Sequence, residues 1–66
     1  MLKNQLKVQR AIKNLTQEEL AHLLGVSRQT INSIEKNRYV PSTVLALKLS
    51  KVFGVPVNEI FELVEE

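Results

Sequence analysis

The sequence predicts a small all-α domain of five short helices, and two kinds of residue pattern carry this prediction. Apolar residues recur at three- and four-residue spacings along most of the 66 positions, which is the period of an amphipathic helix. Residues that start or stop helices lie between the apolar segments. The start residues are Thr16, Ser27 and Ser42 or Thr43, and the stop residues are Asn14, Gly25 and Gly54. Since aromatic residues are few, the core must be mainly aliphatic.

These patterns give each element its bounds. The predicted helices cover residues 4–13, 17–24, 28–36, about 43–53, and a short segment after Pro56 that runs through 58–61. Asn14 tolerates the left-handed conformation that ends a helix, and Thr16 with Glu19 forms a capping box for the second helix. Residues 62–65 alternate weakly and could pair with residues 1–3 as a short terminal two-stranded antiparallel ribbon.

Residues 17–36 have the spacing of a helix-turn-helix, in which two short helices are locked at a steep angle. Ala21 is small where the two helices of the motif would cross. Gly25 can adopt the left-handed conformation of the turn at little cost in free energy. The apolar positions that would face the shared core are Leu20, Leu24, Val26, Ile31 and Ile34.

Charge is divided unevenly along the chain, whose formal net charge is +2. Residues 1–38 carry seven Lys and Arg against three Glu, a balance of +4, whereas residues 39–66 carry two Lys against four Glu, a balance of −2. The positive half contains the helix-turn-helix, which points to a nucleic-acid partner.

Several classes of function lack any supporting pattern. The chain has no Cys or Asp and a single histidine, His22, so we predict no metal site, no cofactor and no catalysis. It lacks a signal-peptide pattern and an apolar stretch long enough to span a bilayer. We therefore expect one cytoplasmic domain over residues 1–66, without membrane insertion.

The helix-turn-helix, the loop Asn37-Arg38-Tyr39-Val40-Pro41-Ser42 and the segments 45–49 and 53–61 together resemble the Cro/CI-type repressor family, also called xenobiotic-response-element-like regulators. The resemblance implies a five-helix lambda-repressor-like fold. It also implies a sequence-specific transcriptional regulator, most simply a repressor, that binds a palindromic operator in double-stranded DNA as a homodimer with its third helix in the major groove.

A polar ridge on the third helix is predicted to read the bases. With Ile31 and Ile34 buried and each residue advancing the helix by about 100°, the outward positions are Arg28, Gln29, Asn32, Ser33 and Lys36. Gln and Asn can bond adenine through two hydrogen bonds, and Arg can bond guanine in the same way. The alternative is an ordinary solvated helix face.

Residues beside the ridge are predicted to contact phosphates: Gln17, Ser27, Asn37, Arg38 and Arg10. In the resembling repressors, a Gln opening the second helix contacts a phosphate, and an Arg in the first helix pairs with a Glu late in the third. Arg10 and Glu35 occupy the matching places. A carboxylate on the DNA-facing helix would repel phosphates unless it were neutralised.

The C-terminal third has more apolar residues than a small core can bury, which predicts a dimer interface. Its predicted members, in the region through which related repressors dimerise, are Val57, Phe61, Leu45 and Leu63. Two alternatives stay open: an antitoxin-type regulator that also binds a toxin, and an interaction module without DNA binding. No ligand-sensing segment is evident, so control would come from the protein's own concentration, from competition at the operator, or from a regulatory protein partner.

Overall fold

In the part of the chain that the structure describes, a short N-terminal strand pairs with a C-terminal strand, and four α-helices lie between them. The computed structural model describes residues 2–65. Its elements in order are β1 (Leu2–Asn4), α1 (Leu6–Ile12), α2 (Gln17–Leu24), α3 (Arg28–Glu35), α4 (Thr43–Phe53), a 3₁₀ turn (Val57–Glu59) and β2 (Phe61–Leu63).

The two strands form an antiparallel ribbon that joins the ends of the chain. Leu2 lies opposite Leu63, Lys3 opposite Glu62, and Asn4 opposite Phe61. The ribbon predicted from the sequence is therefore present, but it joins residues 2–4 to 61–63 rather than 1–3 to 62–65. The part of that prediction on residue 1 lies outside the described residues. The prediction that the first helix starts at residue 4 is wrong, because Asn4 belongs to β1 and α1 starts at Leu6.

The predicted fifth helix is also wrong, since that segment makes only one 3₁₀ turn, Val57–Glu59. Pro56 allows the turn to start, and the Ile60 backbone N–H closes it on Val57 O at 2.9 Å. The chain then becomes extended to pair with β1, and Ile60 O accepts a hydrogen bond from Gln5 N at 2.7 Å. Sheet pairing thus ends the helical segment after three residues, and the domain is mainly helical with a small sheet.

All four helices are followed by a residue in the left-handed conformation, with φ between 55° and 72°. These residues are Asn14, Gly25, Asn37 and Gly54. After α2, Val26 N donates to Ala21 O at 3.0 Å and Gly25 N to His22 O at 3.2 Å. This paired pattern satisfies carbonyls that a helix end leaves free and turns the chain sharply.

The N-termini of three helices are capped by hydroxyl side chains. Thr16 Oγ1 accepts from Glu19 N at 3.0 Å, while Thr16 N donates to Glu19 Oε1 at 2.9 Å, which completes the predicted capping box. Two hydrogen bonds with Thr16 lower the pKa of the Glu19 carboxyl, and the bond to the Thr16 backbone has a larger effect than the bond to its side chain. Ser27 Oγ and Ser42 Oγ cap α3 and α4 by accepting from Thr30 N and Leu45 N, each at 3.1 Å. Local chemistry therefore determines where these helices begin.

The core is aliphatic apart from two phenylalanines, and it lies between the four helices and the ribbon. Its buried members are Leu6, Leu20, Ala21, Leu24, Ile31, Ile34, Leu45, Leu49, Phe53, Ile60 and Phe61. Ala21 retains 3% exposure where α2 meets α3, and Val26 is only half-buried. Among residues 2–65, no helix is long and apolar enough to cross a membrane.

Gly25 offers a direct test of the left-handed turn between α2 and α3. A Cβ added there would meet no atom within 4 Å, so Gly25→Ala should destabilise the domain through backbone strain alone. We expect a loss of about 1 kcal/mol in urea unfolding. Gly25→Asn is the matched control, since Asn14 and Asn37 already adopt this conformation. It should lose about half as much or less, and equal losses for the two variants would contradict the explanation.

Candidate DNA-binding surface

Helix α3 is held at both ends and along its inner face. At its start, Ser27 Oγ accepts from Thr30 N at 3.1 Å. At its end, Arg38 N donates to Ser33 O at 2.9 Å and Asn37 N donates to Ile34 O. The inner face is formed by two fully buried isoleucines, Ile31 and Ile34. These contacts fix the rotation of α3 about its axis, so the face opposite the isoleucines points outward.

That outward face carries the five residues predicted to contact bases. Arg28, Gln29 and Lys36 are exposed, whereas Asn32 and Ser33 are half-buried. A concave surface lies on each side of the helix. One is lined by Arg10, Thr16, Gln17, Glu18 and Arg28. The other is lined by Ser27, Gln29, Thr30, Ser33, Arg38 and Tyr39.

Arg10 and Glu35, which the resemblance predicted to pair, form an ion pair between α1 and α3. Arg10 Nε donates to Glu35 Oε2 at 2.8 Å, and Nη2 reaches Oε1 at 3.4 Å. Arg10 Nη1 also donates to Leu15 O at 2.8 Å. The side chains are 16% and 8% exposed, so the pair is largely shielded from water. Within the described chain, the only carboxylate of α3 is thereby neutralised.

Gln17 has a different arrangement from the one expected of a phosphate contact. Its Nε2 donates to Glu35 Oε1 at 3.1 Å and to Asn32 Oδ1 at 3.3 Å. Both hydrogens of the amide are therefore used inside the protein, and its oxygen cannot donate to a phosphate. The donors available at this place are instead the backbone N–H groups that open α2, which point out of the helix N-terminus.

The other residues predicted to contact phosphates surround the ends of α3. Arg38 is exposed, while the hydroxyl of Ser27 lies 2.9 Å from that of Thr30. Asn37 Oδ1 accepts from Asn4 Nδ2 at 2.7 Å, and the same nitrogen donates to Ile34 O at 3.0 Å. Asn4 therefore ties β1 to the end of α3. Sequence analysis missed this role because it placed Asn4 inside the first helix.

Tyr39 is a second residue that sequence analysis did not assign to the site. It is 46% exposed and lines the same concave surface as Gln29 and Arg38. The signal was available, because a tyrosine directly follows the basic residue of the loop. Such a position suits a side chain with an apolar ring and a polar tip.

The residues predicted for a dimer interface fall into two groups. Leu45 and Phe61 are 7% and 8% exposed and belong to the monomer core, so they have little surface left to offer a partner. Val57 is half-buried, and Leu63 is 74% exposed. An apolar groove lies between α4 and the ribbon, and we call it the α4 groove. It is lined by Leu2, Val40, Pro41, Thr43, Ala46, Leu47, Val57 and Phe61.

Comparison with known proteins agrees with this geometry. Residues 6–60 match the family described as Helix-turn-helix. A transcriptional regulator of this type from Methanocaldococcus jannaschii is 60% identical over 60 residues, which cover 91% of each chain.

The chain belongs to the Cro/CI-type helix-turn-helix family. A cryptic phage CTXphi transcriptional repressor, RstR of Vibrio cholerae, is 33% identical over 91% of this chain and 54% of its own length. The restriction-modification controller protein C.AhdI of Aeromonas hydrophila has a similar structure. Its TM-score is 0.74 at 33% identity, and the match covers 82% of this chain and 78% of that one. The family predicted from the sequence is confirmed, and the protein is a helix-turn-helix transcriptional regulator.

The ion pair that supports α3 can be tested by unfolding. Arg10→Met should cost about 3 kcal/mol, because it leaves a largely buried Glu35 carboxylate without its cation. Lys7→Met, which removes an exposed cation from the same helix, should change stability by less than about 0.5 kcal/mol. Combining Arg10→Met with Glu35→Leu should recover part of the loss. Equal effects of Arg10→Met and Lys7→Met would contradict a structural role for the pair.

Proposed function

We propose that the protein represses transcription by binding a palindromic operator as a homodimer, with α3 of each subunit in the major groove. The observation that carries this proposal is the outward face of α3. It is entirely polar and carries exposed Arg28 and Lys36, and the nearby carboxylate of Glu35 in the same helix is paired with Arg10. Such a face can approach a polyanion and still offer hydrogen bonds to base edges. Repression, as against activation, is supported by the relation to a phage repressor.

The ridge residues divide by position into those that read bases and those that orient the domain. Arg28, Gln29, Asn32, Ser33 and Lys36 occupy the outward face and are assigned to base edges. Arg38 and Asn37 follow α3, Ser27 precedes it, and the first turn of α2 faces the same side, so these are assigned to phosphates. Arg10 acts mainly by holding α1 against α3.

Two substitutions distinguish the two kinds of contact. Gln29→Ala should relax base preference at one position of each half-site and cost about 1–3 kcal/mol there. Arg38→Ala should weaken binding to all sequences alike and lower the salt slope by about 1 per protomer. The measurement is a binding series over all single-base variants of an operator selected from a random DNA pool, repeated at several salt concentrations.

Lys51→Ala is the matched control, because it removes an exposed cation from α4, outside the helix-turn-helix. It should leave both base preference and the salt slope close to those of the unmodified protein. If Gln29→Ala lost affinity equally on every sequence, its assignment to a base would be wrong. If no sequence were enriched from the pool, sequence-specific binding itself would be refuted.

Dimerisation is assigned to the α4 groove and its rim. Two apolar side chains that line the groove are strongly exposed: Val40 by 67% and Leu47 by 59%. Val57 lines the same groove, and Leu63, which is 74% exposed, lies opposite the groove residue Leu2 in the ribbon. A contiguous apolar patch of this kind is typical of an interface. Two-fold pairing is also what an operator with half-sites about 34 Å apart requires.

Sedimentation of the DNA-free protein at micromolar concentration tests the interface. The unmodified protein should sediment as a dimer, and Leu47→Glu should convert it to a folded monomer because a charge cannot be buried there cheaply. Ile12→Glu is the control, since Ile12 is 66% exposed but lies on α1. A dimer that survived Leu47→Glu and dissociated with Ile12→Glu would place the interface elsewhere.

A further inference from the structure

A chain of hydrogen bonds runs from α1 to the outward face of α3, and its direction is dictated by its first two members. The Arg10 guanidinium can only donate hydrogen bonds, and the ionised carboxylate of Glu35 can only accept them. Gln17 must therefore turn its amide nitrogen toward Glu35, as it does at 3.1 Å. The charges of Arg10 and Glu35 therefore determine the orientation of the Gln17 amide.

The same constraint passes to Asn32. The second hydrogen of Gln17 Nε2 points to Asn32 at 3.3 Å, so Asn32 must offer its oxygen there. The reverse orientation would bring two amide nitrogens together, so that one hydrogen of each would point at another donor. Asn32 Nδ2 consequently faces away from the chain of bonds, and no acceptor for it occurs among residues 2–65. Both hydrogens of Asn32 Nδ2 are thus free to be donated, at a half-buried position of the outward face of α3.

We propose that Asn32 reads the major groove as a hydrogen-bond donor only, and that Gln17 is the positioning residue that imposes this orientation. The inference rests on the proposed DNA-binding function and specifies it. Guanine presents two acceptors in the major groove, and thymine and adenine present one each, whereas cytosine presents only a donor, its N4 amino group. The base that faces Asn32 is therefore one that presents an acceptor, which is guanine, thymine or adenine through N7 alone, and cytosine is rejected. The two-bond contact with adenine, which needs both ends of the amide, is not made.

Two variants separate orientation from general binding. Gln17→Met keeps the length of the side chain and removes the donor, so the Asn32 amide can rotate. Asn32→Asp reverses the polarity, because an acceptor then faces the groove. Gln29→Met is the matched control: it makes the same change at an exposed residue outside the chain of bonds.

The experiment measures relative affinities for the four base pairs at each half-site position of the selected operator, at one salt concentration. The unmodified protein should prefer the bases that present an acceptor over cytosine about tenfold at one position. Gln17→Met should reduce that ratio to about twofold at the same position, and Asn32→Asp should shift the preference there toward cytosine. Gln29→Met should alter a different position. Using ratios within each variant removes the uniform loss caused by the added charge of Asn32→Asp.

A second measurement needs no DNA. The nitrogen-15 order parameter of the Asn32 side-chain amide should fall in Gln17→Met and stay unchanged in Gln29→Met. The proposal is overturned if Gln17→Met weakens all sequences equally, if Asn32→Asp keeps the original base preference, or if the order parameter does not respond to Gln17→Met. If the unmodified protein selected no sequence, the proposed function and the base-reading role would both fail. The order parameter would still decide whether Gln17 orients Asn32.

Discussion

The position of Glu35 on α3 is the constraint on which the polar organisation of the domain depends. An unpaired carboxylate on this helix would repel phosphates, and burying it without a cation would cost several kcal/mol. Arg10 removes both the repulsion and the cost of burial by pairing with Glu35. Because Arg10 Nε and Glu35 Oε2 are 2.8 Å apart, the pair fixes where α1 crosses α3. Arg10 also bonds Leu15 O, so the segment between α1 and α2 is held by the same side chain. The pair therefore restricts the relative positions of three helices that are each too short to be stable alone.

Neutralising Glu35 also changes what the neighbouring amides can do. In this structure Gln17 Nε2 donates to both Glu35 and Asn32, so its side-chain donor is engaged inside the protein. The helix N-terminus on which it lies can still attract a phosphate through backbone N–H groups. The side chain of Gln17 thus forms internal hydrogen bonds, and we propose that the backbone N–H groups beside it make the phosphate contact that the family resemblance assigned to that side chain.

Local chemistry explains why α2 and α3 could be predicted almost to the residue. Thr16, Ser27 and Gly25 act within a few positions of their own place in the chain, and the observed Gln17–Leu24 and Arg28–Glu35 follow from them. The errors lie where distant segments meet. Asn4 lies in a strand rather than in the predicted first helix, because it pairs with Phe61. The same pairing makes the end of the predicted fifth helix extended. The contacts of Gln17 were equally beyond sequence reasoning, since they depend on how closely α2 approaches α3.

The ribbon connects the proposed dimer interface to α3, the helix proposed to read DNA. This connection relates dimerisation to DNA binding. Leu2 and Phe61 line the α4 groove. Asn4, in the same strand as Leu2, donates to Ile34 O and Asn37 Oδ1 at the end of α3. A second subunit seated in the groove would therefore rest on a strand that is hydrogen-bonded to the reading helix. The separation of two reading helices would then follow from short, rigid contacts rather than from a flexible linker. In such a regulator, occupancy of the operator depends on how much dimer is present, because the monomer carries only half of the required geometry.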